Sequence, residues 1–449
     1  MAVQPDQTSV LQAAASTSSR GDWLIAGLLT LSFTLSYIDR QVISLLVQPI
    51  KASLGLSDTQ LGLLQGVSFS LFYVAATLPL AWLADRGNRP VIMAACVAGW
   101  SVMTMLCGAA MNFWHLLLAR AGIAIGEAGL PGAALTIMAD RFDPRRLASA
   151  TSVFMLAPFI GGGAALVGGG ALYAASAAWQ MPILPGIGQL ERWQLVFILL
   201  GAPGLLVAAA LLLISDPRRG RGPLPRENRT NLPGFLRREW RFVGPYILAI
   251  ALTSMLLSTY VSWLPAAMIR AHKVDELSVG VMFGPVFFLA GAAGTLIAGI
   301  IVSRGSSRDP VGFTLRFMRT SIAILWPIAI AGPLMPTLTL ELVLMGLALF
   351  LISSVIGMST LPLQFVAPKH LRAQAIAFLG MIAALIGTGF GPLIAGVLSD
   401  HLTFSAQPLS MALSLIAAVS APFSVLMLYA AGRRHARVAA APLASGALH

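Results

Sequence analysis

Two acids and two arginines stand in stretches otherwise free of charge: Asp39 and Arg40 are adjacent, and Arg120 precedes Glu127 by seven positions. A charge held at the centre of a bilayer costs at least about 2.5 kcal/mol, so such groups face an internal cavity and pair with one another. Seven positions are about two helical turns, which puts Arg120 and Glu127 on one face. Burial disfavours the ionised form of a carboxyl group, whereas a neighbouring guanidinium favours it. Small displacements around such a group switch it between neutral and ionised. That is proton-coupling chemistry, expected at Glu127, with Asp39 the second candidate. Arg40 and Arg120 are the candidates for holding an anion, because guanidinium presents a planar fork of donors. The competing reading is a static ion-pair cluster that fixes helix packing, but buried ion pairs stabilise weakly compared with apolar packing.

The elements that carry these residues follow from composition. Of 449 residues 57% are hydrophobic and 10% charged, with mean hydropathy +0.82. Soluble domains carry about 25% charged residues, so a soluble enzyme is excluded. At about 20 apolar residues per crossing, apolar stretches fall near 22–47, 60–84, 91–111, 115–138, 148–176, 193–214, 242–268, 278–302, 312–334, 339–366, 373–398 and 409–431. The expected fold class is an all-α polytopic membrane protein of twelve helices. Residues 22–215 and 242–432 form two six-helix halves joined by a linker at 216–241, with a disordered tail at 1–21 and a second tail at 433–449. Of the 29 Lys and Arg, 23 fall in one alternating set of loops and tails, four in the other set and two, Arg40 and Arg120, within spans. Basic residues collect on the cytoplasmic side, so both termini are expected there. The net charge of +12 then sets orientation, and no nucleic-acid partner is expected. Residues 1–20 are rich in Ser, Thr and Ala and lack a basic n-region or cleavage site. Arg-rich composition without a processing signal suggests a bacterial inner membrane. Cys96 and Cys107 are about 16 Å apart along one helix, too far for a disulfide. The six His are scattered without ligand spacing, so neither metal nor cofactor is expected.

The halves echo each other. Asp85-Arg86 after the second span recurs as Ser303-Arg304 after the eighth, and Arg146-Leu-Ala-Ser-Ala150 resembles Leu371-Arg-Ala-Gln-Ala375. Glycine runs follow both, from Gly161 to Gly170 and from Gly387 to Gly396. Parallel repeats of this kind are related by an axis along the membrane normal and rock about a central site. The seventh span adds Ser254, Ser258, Thr259, Tyr260, Ser262 and Trp263 to an apolar run.

The segment Ala81-Trp-Leu-Ala-Asp-Arg-Gly-Asn-Arg89 resembles the Major Facilitator Superfamily signature Gly-x3-Asp-Arg-x-Gly-Arg, with Ala81 and Asn88 in place of two glycines. The resemblance implies that Asp85 braces the second span against the start of the eleventh, so Asp85, Arg86, Arg89 and Arg141 are expected to form a gate. Tyr37-Ile-Asp-Arg40, Gly62-Leu-Leu-Gln65, Asp85-Arg-Gly-Asn-Arg89, Arg120-Ala-Gly-Ile-Ala-Ile-Gly-Glu-Ala128 and Ala157-Pro-Phe-Ile-Gly-Gly162 resemble the Spinster (Spns) family within that superfamily. This match is specific over 33–163 and loose in the second half. It implies a cavity lined by spans 1, 4, 7 and 10, with functional weight on Asp39, Arg40, Arg120 and Glu127. Tyr37 joins them at the substrate, and Tyr260 and Trp263 are expected opposite, with Phe350 and Phe365 ranked below. It also implies export of sphingosine-1-phosphate or lysophospholipids. The expected function is therefore a proton-coupled secondary transporter of an amphipathic anionic lipid working by alternating access, as a monomer among membrane lipids. The alternative is a proton-coupled exporter of drugs or small organic anions. A lipid-modifying membrane enzyme would need a nucleophile or base with partners, and the intramembrane acids here are accompanied by Arg and no His.

Overall fold

The computed structural model describes residues 20–186, 188–217, 231–305 and 309–445. Most of the expected N-terminal tail, and residues 218–230 of the expected linker, lie outside the described residues. Twelve helices among those described are long and apolar enough to cross a membrane, in the expected order: α1 (Arg20–Leu45), α2 (Asp58–Arg86), α3 (Arg89–Cys107), α4 (Phe113–Arg141), α5 (Arg146–Ala178), α6 (Arg192–Leu211), α7 (Trp240–His272), α8 (Glu276–Gly305), α9 (Pro310–Leu334), α10 (Leu338–Val366), α11 (Arg372–His401) and α12 (Pro408–Ala436). A short helix, Val47–Leu54, continues α1, and Gly55 ends it with φ of 64°, a left-handed cap that suits glycine. The α5–α6 loop holds a two-strand antiparallel hairpin, β1 (Ile183–Leu184) with β2 (Gly188–Gln189), which the apolar pattern did not announce.

Local chemistry sets several of the starts. Ser57 and Gln60 form a reciprocal capping box at α2: Gln60 N–H donates to Ser57 Oγ at 3.1 Å, and Ser57 N–H donates to Gln60 Oε1 at 2.9 Å. Asn112 caps α4 at 3.0 Å and Asp309 caps α9 at 2.8 Å. Asn88 caps α3. That explains an amide at this position of the signature.

Packing reveals the repeat. In the first half α1 packs on α5, α2 on α4 and α3 on α6; in the second α7 packs on α11, α8 on α10 and α9 on α12. Adding six to each index maps one set onto the other. The halves meet along two matching seams, α2 with α11 and α5 with α8. Glycines make both seams close. A Cβ on Gly66, where α2 breaks, would run into the Gly389 carbonyl, and Gly163 and Gly284 face each other between α5 and α8. Helix α11 is π-helical over Ala383–Phe390, two positions before Pro392. Inserting a π-turn is a recognised way to bend a helix. Cys96 and Cys107 are free and buried. Below, the end of the bundle bearing Arg86, Arg141, Arg304 and Arg433 is called the arginine-rich face, and the end bearing Lys51, Arg192 and Arg270 the opposite face.

Candidate functional site

A cavity of about 360 Å³ lies between the halves. Its first-half wall carries Tyr37, Arg40, Gln65, Phe69 and Arg120. Arg40 from α1 reaches Glu127 on α4: its Nε donates to Glu127 Oε2 at 3.2 Å, and its Nη2 contacts the same oxygen. The guanidinium lies 4.3 Å from the Phe69 ring centroid, 4.9 Å from Tyr37 and 5.4 Å from Tyr73. Aromatic faces attract such a cation and shield it from water. The Arg40 side chain keeps 24% exposure, whereas Glu127 keeps 1%. The cation is thus the exposed member of the pair.

The other two charges lie close to this pair without a salt bridge to it among the described residues, and the Arg120 guanidinium is 5.3 Å from the same Phe69 ring. Arg120 is buried; its Nη1 donates to the Asp39 backbone carbonyl at 3.4 Å, a long bond, and its Nε has no partner among the described residues. Asp39 is buried and does not line the cavity. Glu127 Oε1 also has no partner among the described residues, which leaves Arg40 as the group holding this carboxylate.

The second-half wall corrects part of the sequence reading. Ser254, Ser258 and Ser262, spaced by four along α7, line the cavity. Tyr260 and Trp263 do not. Tyr260 donates to the Ala329 carbonyl on α9 at 2.7 Å, and Trp263 Nε1 donates to the Pro392 carbonyl on α11 at 2.8 Å. Both are fully buried between helices. At 100° per residue, positions 260 and 263 point away from the serine stripe. Phe365 is 54% exposed on the outside, and Phe350 packs with its carbonyl against Gly294. Phe159, Leu257, Phe287, Leu349 and Ile356 supply apolar wall, and Gln41, Ser44, Ser353 and Thr388 add further polar groups.

The expected gate residues split into two groups. Arg89 is buried; its Nη1 meets Asp140 Oδ2 at 2.7 Å, its Nε meets Asp216 Oδ1 at 3.1 Å, and its backbone N–H donates to Asp216 Oδ2 at 3.0 Å. Arg141 bonds Asp22 Oδ1 at 3.2 Å and the Ser215 carbonyl at 2.6 Å. Both therefore tie elements of the first half to one another, and Arg89 ties them to the start of the linker. Asp85 is exposed and, among the described residues, makes no brace to the start of α11, while Arg86 stacks 4.1 Å from the Trp82 ring. The physical reason is that the halves here are clasped at the other end.

That clasp was not anticipated. Asp58, at the start of α2, receives Arg270 Nη2 at 2.8 Å from α7, Lys51 Nζ at 2.6 Å and Ser399 Oγ at 2.7 Å from α11. Asp400 accepts the backbone N–H groups of Asp58 at 3.1 Å and Thr59 at 2.7 Å, together with the Thr59 hydroxyl at 2.6 Å. A carboxylate from α11 thus occupies the N-terminus of α2, where unpaired amides and the helix dipole favour an anion. Nearer the cavity, Gln41 donates to the Val261 carbonyl at 2.7 Å. These contacts close the cavity toward the opposite face. A further buried pair, His272 Nε2 and Glu341 Oε2 at 2.6 Å, joins α7 to α10 at that face. In sequence Glu341 looks like a loop-edge acid.

Comparison with known proteins agrees with this architecture. The Major Facilitator Superfamily profile matches residues 29–385. An MFS-type efflux pump of Mycolicibacterium smegmatis is 29% identical over 93% of this chain and 94% of its own. The sphingosine-1-phosphate transporter SPNS2 of Danio rerio is 26% identical over 87% and 78% respectively. Protein spinster homolog 1 of Homo sapiens is 26% identical over 89% and 76%. Among solved structures, a bacterial homolog of the human lysosomal transporter Spinster, in an inward-facing, unoccupied conformation, superposes with a TM-score of 0.74 at 29% identity, covering 93% of this chain and 96% of the other. Twelve membrane-spanning helices in repeated six-helix packing around one central cavity, together with these matches, show that the chain is an integral membrane protein belonging to the Major Facilitator Superfamily of transporters and similar within it to the Spinster proteins.

Proposed function

We propose that this chain is a proton-coupled secondary transporter that moves an amphipathic anionic lipid, of the lysophospholipid or sphingosine-1-phosphate kind, by alternating access. The observation that carries the reading is the Arg40–Glu127 pair, with its cation turned to the cavity and its carboxylate buried behind it. An anionic head group entering the cavity competes with Glu127 for Arg40. Glu127 then loses its hydrogen-bonded cation and takes up the coupled proton. When the substrate leaves, Arg40 returns and the proton departs. Proton and substrate are thus linked through one guanidinium, and each shifts the conformational equilibrium by its differential affinity for the two states. Arg120 is the second anion-binding group, Tyr37 borders the head-group site, and Asp39 is the reserve proton carrier. The apolar wall of Phe159, Leu257, Phe287, Leu349 and Ile356 suits an alkyl chain, and the similarity to SPNS2 supports the lipid class.

In this reading the arginine-rich face is cytoplasmic, with both termini there, in a bacterial inner membrane. The halves 22–215 and 242–432 rock as units joined by 216–241 in a monomer. Asp85 and Arg86 complete the cytoplasmic gate when the opposite face opens, while Arg89 and Arg141 hold the helix ends that move with it.

The similarity to an efflux pump across nearly the whole chain favours a second reading, export of drugs or small organic anions by the same coupling. Equilibrium binding to the purified chain separates the two. A lysophospholipid should bind more tightly than either its deacylated head group or an amphipathic drug. Equal binding of head group and lysolipid would overturn the lipid reading, and tighter binding of the drug would favour efflux.

A further inference from the structure

Away from the transport cavity, a groove of about 220 Å³ opens between α9 and α12 at the arginine-rich face. Arg316, Arg319 and Arg433 line it, with Tyr429 between them and Asp309 and His435 at its edge. The Arg319 and Arg433 guanidiniums lie 5.6 Å and 5.7 Å from the Tyr429 ring centroid. Asp309, the acid of the groove, is engaged elsewhere: it caps α9, meets His435 Nε2 at 3.1 Å and has Arg316 at 3.9 Å. Among the described residues, neither Arg319 nor Arg433 has a carboxylate partner. Two arginines held around one aromatic ring, with no counter-charge of their own, are an incomplete arrangement.

What lies beneath them indicates what completes it. The two helices pack antiparallel, so positions after Arg319 and before Tyr429 both descend toward mid-membrane. Trp326, seven residues beyond Arg319 and therefore on the same face, is 43% exposed; Leu426, one turn below Tyr429, is 56% exposed. A cationic groove thus continues into an outward-facing apolar surface at the depth of acyl chains. A small soluble anion uses only the first part, whereas a bilayer lipid uses both.

We propose that this groove is a binding site for the phosphate head group of an anionic glycerophospholipid from the leaflet at the arginine-rich face. Arg319 and Arg433 flank the phosphate, the Tyr429 hydroxyl donates to it, and the acyl chains run over Trp326 and Leu426. Basic pockets between membrane helices bind acidic head groups in this way, and arginine offers the phosphate two parallel donors. The site is separate from the Arg40 cavity and does not depend on what the transporter carries. By bridging α9 and α12, the bound lipid stabilises the second half.

The test uses the full chain in neutral detergent, titrated with phosphatidylglycerol or phosphatidylcholine and read by native mass spectrometry and by melting temperature. Phosphatidylglycerol should bind preferentially and raise the melting temperature of the wild type. The Arg319→Gln/Arg433→Gln double variant should lose about thirty-fold in phosphatidylglycerol affinity, while phosphatidylcholine binding stays the same. Wild type that binds the two lipids equally overturns the site, whatever the variant does. Retention of phosphatidylglycerol by a folded double variant does so as well. Millimolar inorganic phosphate is the third arm: a melting shift equal to that of phosphatidylglycerol would make the groove a free-anion site and contradict the lipid assignment.

Discussion

Arg40 and Glu127 come from helices α1 and α4 and are separated by 87 positions, yet a single carboxylate oxygen of Glu127 takes both the Nε and Nη2 donors of Arg40. The second oxygen is left without a partner among the described residues. Whatever draws Arg40 toward the cavity therefore takes from Glu127 the hydrogen bonds of its one engaged oxygen, the step on which the proposed coupling depends.

Replacing Arg40 should weaken binding of an anionic lysolipid in a graded way. Arg40→Ala removes a charged hydrogen-bonding partner, a loss of about 1.5–3 kcal/mol, or roughly ten- to hundred-fold in Kd. Arg40→Lys should lose less, because charge remains while the planar fork goes. Isothermal titration at fixed pH measures both, and equal losses would remove the fork from the account. The Arg40→Ala/Glu127→Gln double variant controls for the carboxylate that the single change leaves unpaired.

Asp58→Asn should open the opposite face. The substitution removes the ion pairs to Arg270 and Lys51, and the Arg270 contact spans the halves. Hydrogen bonds to charged groups contribute about 1.5–3 kcal/mol, so the fraction open at that face should rise on the order of tenfold or more. Accessibility of an engineered cysteine at position 44, in the cavity wall, to a reagent added from that side reports the shift. An unchanged labelling rate would mean that the Asp400 and Gln41 contacts and the glycine seams hold the face shut without the Asp58 ion pairs.

Those seams give a complementary test. A Cβ at Gly66 collides with the Gly389 carbonyl, so Gly66→Ala should strain the closed opposite face by about 1–3 kcal/mol. Gly27, with open space around its Cβ position, is the control: Gly27→Ala should leave the conformational balance as it is. Spin-label distances across α2 and α11 compare the two variants.

Orientation is checked by Arg237→Cys, an exposed position in the short helix Leu232–Arg238. In intact cells the thiol should be protected from an impermeant maleimide and should react after lysis. Labelling in intact cells would reverse the assigned topology.

The twelve spans and the superfamily were legible because composition, basic asymmetry and the Asp85–Arg89 signature each reflect a strong constraint. Lipid excludes unpaired backbone and charge, so long apolar runs and isolated intramembrane acids stand out. Asp39 and Glu127 were conspicuous for that reason. Which arginine takes Glu127 was not legible, since the choice depends on how α1 rotates against α4. The same limit misdirected Tyr260 and Trp263: hydroxyl and indole groups in α7 suggested a binding wall, but the serines four apart marked the face that turned inward. Asp58 and Asp400 were missed altogether. Each sits at a helix end, where an acid is ordinary, and their meeting is a contact across 342 positions that only the packing of the halves creates.

The proposed coupling requires that Glu127 exchange a proton as Arg40 changes partners. Spin labels on the two halves, on the arginine-rich ends of α2 and α11, should show a distance distribution that shifts as pH is varied from about 5 to 8. In Glu127→Gln, which mimics the protonated form, that shift should flatten and proton-driven uptake into liposomes should cease while downhill exchange persists. A pH response in Glu127→Gln identical to that of the wild type would contradict the account and move the proton site to Asp39.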